Sequence, residues 1–122
     1  MEPGRALLCF GTALLSAAAL CGFVQYRHRE RAELFSKWRV VHAGGTAGGV
    51  QLLALAYVFE RLGMAGTPAQ LLATGLISAT WAFFLGPLAD ALGRSRIAAH
   101  INHVGGAVAL PSYAGLPLLL LA

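Results

Sequence analysis

Trp38-Arg39-Val40-Val41-His42-Ala43-Gly44-Gly45-Thr46-Ala47-Gly48-Gly49 is the stretch whose reading decides the fold. It opens an apolar run that continues to Phe59, and Arg39 is the one charged residue in that run. A chain needs about 20 predominantly apolar residues to cross about 30 Å of hydrocarbon as a helix. The run has that length. A helix is the expected form because it satisfies every backbone N–H and C=O internally where no water is available.

Working outward, three more segments of spanning length appear. They run roughly over residues 6–26, 68–89 and 97–122, with the run just described at 38–59. Of the 122 residues, 57% are hydrophobic and 11% charged, against about a quarter charged in soluble domains. A chain this short has no aqueous core large enough to hide so much apolar surface. The expectation is an all-α integral membrane protein, a four-helix bundle forming a single domain over 1–122. Residues 1–24 share features with a signal peptide, but are read as a retained first helix.

The formal net charge is +4, from nine Lys and Arg against five Asp and Glu. The basic residues sit in short connections between apolar runs, which points to membrane topology and not to nucleic acid. Arg27, Arg29, Arg31 and Lys37 fill the first connection, and Arg94 and Arg96 the third; the second carries Arg61 opposed by Glu60. The positive-inside rule then puts connections one and three in the cytoplasm and both termini outside, in a bacterial-type inner membrane. The first connection is read first as a topology signal, with contact to anionic headgroups of the bilayer as the alternative. Cys9 and Cys21 stand about 18 Å apart on one straight helix and cannot bridge. Pro111 and Pro117 are expected to bend the last helix.

The second run carries the chemistry. An imidazole at membrane depth is costly without a partner. His42, Gly45 and Gly49 share one helix face by the i, i+3, i+7 rule. That face offers a nitrogen ligand above a surface free of side chains, against which a planar macrocycle can lie. Gly44/Gly48 and Gly45/Gly49 are also two overlapping GxxxG pairs, the usual sign of close helix packing. Both readings stand on the pattern alone. Trp38, beside Lys37 and Arg39, suits either an interfacial anchor or a pocket wall; Trp81 lies mid-helix and suits packing. His100, Asn102 and His103 form a second polar cluster at the start of the fourth helix.

These residues resemble the styrene oxide isomerase family of small membrane enzymes. Trp38 to Gly63 is similar to that family's second helix, with Trp-x-x-x-His, the small residues after it, and a run ending in Leu62-Gly63. Ala69-x-Leu71-Leu72 with Trp81, and Ala109-Leu110-Pro111-Ser112-Tyr113, resemble stretches of its third and fourth helices. The resemblance implies a homotrimer with haem b at the subunit interfaces and His42 as the axial iron ligand. It implies Lewis-acid opening of a small apolar epoxide, followed by a hydride shift to an aldehyde or ketone. An apolar site suits that reaction, since water would trap the cation as a diol. The family's active-site asparagine and tyrosine fall on Gly48 and Pro87 here, which leaves Thr46, Tyr57, Asn102 and Tyr113 as candidate polar groups. The connection between helices three and four is trimmed to roughly 90–96.

Three other classes are consistent with parts of the pattern. A small electron-transfer cytochrome b needs two axial histidines, for example His42 with His103. A multidrug-type transporter needs a membrane-embedded carboxylate, and Glu60 and Asp90 both sit at helix ends. An assembly subunit without chemistry explains the glycines and leaves His42 unexplained.

Overall fold

The structure is a computed structural model that describes residues 1–121. It consists of four helices, α1 (Pro3–Arg27), α2 (Ala32–Arg61), α3 (Gly66–Ala91) and α4 (Ser95–Leu121). There is no strand among the described residues. Each helix is longer than its apolar run, because hydrophobicity marks the stretch that suits hydrocarbon and not the length of the coil. The difference is largest at the first connection. α2 starts at Ala32, so the turn shrinks to 28–31 and Lys37 to Arg39 lie inside the helix. That polar first part of α2 is supported by the Glu33–Lys37 ion pair, i to i+4, at 3.5 Å.

The other two turns end in the same way. Gly63 (φ 62°) and Gly93 (φ 77°) adopt the left-handed conformation that stops a helix without a Cβ penalty. Met64 N–H donates to Phe59 C=O at 2.9 Å and Arg94 N–H to Ala89 C=O at 2.8 Å, closing both helix ends. Both free cysteines are unbridged, Cys9 exposed and Cys21 buried. α4 keeps its helical assignment through Pro111 and Pro117, and α3 through Pro87.

α1, α2 and α3 pack on one another, whereas α4 packs on α3 and, among the described residues, makes no close backbone approach to α1 or α2. The core lies among the first three helices, where Leu7, Leu14, Val41, Leu52, Phe59 and Leu76 are fully buried. Trp38 joins this core at 8% exposure, packed inside the bundle near the start of α2. The outside is apolar instead. Leu20 and Leu71 are each 70% exposed and Leu110 76%, which is far more large apolar surface than a soluble monomer leaves in water. α1 and α3 are each long and apolar enough to cross a bilayer; α2 is diluted by His42, Thr46, Gln51 and four glycines. The molecule is a membrane protein built as a helical bundle.

Candidate functional site

α1 and α2 cross where both carry small residues. Gly4, Gly11 and Ala18 recur every seven residues along α1 and so line one face of it. On α2 the matching positions are Gly45, Gly48 and Gly49, all buried. A Cβ built on Gly49 would stand 2.6 Å from Leu15 Cγ and 3.1 Å from the Gly11 carbonyl oxygen. One built on Gly45 would stand 2.7 Å from Phe84 and 2.9 Å from Ala18 Cβ. The bare face expected to lie under a macrocycle is therefore taken up by α1 and α3. Gly45 and Gly49 are helix-packing residues in this chain, and the reason is steric: no side chain fits between the helices there.

His42 sits at the edge of this crossing, half-buried. Its Nδ1 is 2.7 Å from the Ala18 carbonyl oxygen of α1. A carbonyl can only accept, so the neutral ring carries its proton on Nδ1 and its lone pair on Nε2. The bond crosses 24 residues of sequence and fixes the plane of the imidazole. Gly22, one turn beyond Ala18, makes room for the ring: a Cβ there would lie 2.8 Å from Nδ1 and 2.9 Å from Cε1. In the neutral tautomer this contact leaves Nε2 as the ring's acceptor, and a second-nitrogen bond to a main-chain carbonyl is the kind of support that metal-ligating imidazoles use. That donor chemistry fits haem iron. On its outer side α2 presents Ala43, Gly44 and Ala47, all exposed, and nothing lies within 4 Å of where a Gly44 Cβ would be.

The remaining candidates scatter. Thr46 lies one turn from His42 and donates its hydroxyl to the His42 carbonyl at 2.8 Å. Tyr57 is 67% exposed, about 22 Å farther along α2. It lines a cavity of about 570 Å³ with Glu2, Arg5, Leu8, Leu53 and Glu60, at the other end of the bundle. Asn102 lies over Gly86, on the α3–α4 seam. Tyr113 is partly buried and packs against the hydrophobic core. Within one protomer the four do not converge on His42. His103 is exposed on α4, whose close backbone approach among the described residues is to α3, while His42 is turned toward α1.

Gly48 is filled from across the bundle. A Cβ there would meet Thr80 Cγ2 of α3 at 2.6 Å and Leu14 at 3.3 Å. Thr80 is buried and gives its hydroxyl hydrogen to the Leu76 carbonyl at 2.7 Å. The hydroxyls of Thr12, Ser16, Thr74 and Ser112 are likewise bonded to the carbonyl one turn earlier. Trp81 stacks edge-on against Phe84 with centroids 5.9 Å apart, and its indole N–H is buried without a partner among the described residues.

Reading the sequence located His42 but missed Ala18, Gly22 and Thr80. The seven-residue recurrence of small residues in α1 was the signal available for Ala18, and Gly22 follows it by four residues on the same face. Thr80 had none, because its role follows from which helix faces Gly48.

The family model described as styrene oxide isomerase matches residues 4–122, nearly the whole chain. No curated protein matches, and neither does any solved structure.

Proposed function

The chain belongs to the styrene oxide isomerase family, and from that premise we propose that it is a haem b-dependent membrane isomerase converting a small apolar epoxide to an aldehyde or ketone. In this reading it works as a homotrimer with haem between subunits, and its basic end with connections one and three faces the cytoplasm of a bacterial-type inner membrane. The observation that carries it is the His42 Nδ1 to Ala18 carbonyl bond, which holds the ring by one nitrogen and leaves Nε2 for the iron.

His42 would hold the haem through Nε2. When bound, the group supplies a Lewis-acidic iron for the epoxide oxygen. Ala18 orients the ligand ring, and Gly22 keeps its place open. The exposed strip of Ala43, Gly44 and Ala47 is flat enough to lie close to a second subunit or to a macrocycle between subunits. The surrounding apolar side chains keep water from the reacting carbon, so rearrangement competes successfully with hydrolysis. An oily substrate reaches such a site directly from the bilayer.

The test is spectroscopic. Protein expressed with ample haem and purified in detergent is expected to show a Soret band that His42→Ala abolishes. It is also expected to turn styrene oxide into an aldehyde without forming diol. A colourless protein, or a band that survives His42→Ala, ends the haem reading.

A further inference from the structure

The cations near His42 differ in what already neutralises them. Lys37 is paired with Glu33 at 3.5 Å and with Asp90 of α3 at 3.8 Å, so it belongs to the α2–α3 flank. Arg39 lies two residues on, about 200° around the helix from Lys37. It is exposed and has no acidic partner within 4.0 Å among the described residues. It precedes His42 by three residues, which makes the two i, i+3 neighbours on one face. Along the axis its Cα is about 4.5 Å nearer the basic end of the bundle.

The turn that follows α1 supplies a second guanidinium. Tyr26 lies one turn beyond Gly22, the residue on which the His42 ring rests. Arg29 is held over the Tyr26 ring, 4.7 Å from its centroid, and it too has no acidic partner among the described residues. Two guanidinium groups without an acidic partner among the described residues thus lie on the basic side of His42, Arg39 one turn away on α2 and Arg29 in the 28–31 turn, folded back over Tyr26. An arginine fork matches a carboxylate in geometry and charge.

Resting on the haem reading above, we propose that Arg39 and Arg29 form a carboxylate clamp that takes the two propionates of the macrocycle and so sets which edge of it faces the basic end of the bundle. Iron ligation by His42 and carboxylate capture by the arginines are then separate contributions. The clamp governs affinity and orientation, and the histidine governs the iron.

The experiment titrates the haem-stripped full-length protein in detergent with ferric protoporphyrin IX and, separately, with its dimethyl ester, following the Soret band. The ester keeps the iron and the ring but has no carboxylate. Wild type is expected to bind the free acid more tightly. The double variant Arg29→Gln/Arg39→Gln is expected to lose at least about tenfold in affinity for the free acid, and to bind the ester as wild type does. Arg61→Gln, at the opposite end, should bind both as wild type. Unchanged affinity for the free acid in the double variant overturns the clamp, and so does equal weakening of both porphyrins. Wild type that binds neither porphyrin overturns the haem reading itself, and the clamp with it.

Discussion

Gly22 is the residue on which the orientation of His42 depends most directly. Any side chain there enters the space of the imidazole, since even a Cβ would fall 2.8 Å from Nδ1. Gly22→Ala should therefore push the ring off the Ala18 carbonyl while leaving the ligand itself in the chain. Losing such outer-shell support typically costs 10- to 100-fold in metal affinity, so haem titration of Gly22→Ala should show a drop of about that size. An affinity equal to wild type would show that the Ala18 bond does not prepare the ligand. His42 itself was legible in the sequence, because an imidazole among glycines and alanines at membrane depth needs an explanation. Its partner was not legible, because a main-chain carbonyl is present at every residue and only the helix crossing selects the one at Ala18.

At the scale of helices, the small-residue run of α2 has two sides with different uses. Gly45, Gly48 and Gly49 face inward and let α1 and α3 close on α2, while Ala43, Gly44 and Ala47 face outward and are bare. The GxxxG spacing announced close packing but did not say which register would be consumed by it, since Gly44/Gly48 and Gly45/Gly49 are equally good pairs. Thr80 makes the inward side testable. Gly48→Asn places atoms where Thr80 Cγ2 already stands, and overpacking of this kind costs about 1–3 kcal/mol. Thermal unfolding in detergent should register the loss, and adding Thr80→Ala should return most of it. If the two changes instead add independently, Thr80 is not what fills the space before Gly48. The second helix, expected to close at Phe59, runs on to Arg61 before Gly63 stops it. Its start was misjudged at 32–37, where a polar segment is helical through its own ion pair.

The bundle as a whole is three mutually packed helices with a fourth attached along one side of α3. The apolar composition was enough to read the membrane and the helix count, since both follow from how much surface can be hidden. The lopsided attachment of α4 was beyond the sequence, because Gly75, Gly86 and Gly105 could have met any small-residue face and are met by Ser112, Asn102 and Ala82. One property of the interior bears on the chemistry proposed. The hydroxyls of Thr46, Thr80 and Ser112 are each tied to the preceding turn of their own helix, so their hydrogens are engaged and unavailable to a passing intermediate. A rearrangement carried out in such surroundings is isotopically closed. Run briefly in deuterium oxide, it should yield a carbonyl product whose migrating hydrogen is entirely protium, and early incorporation of deuterium at that carbon, seen by mass spectrometry, would mean that solvent protons reach the reacting centre.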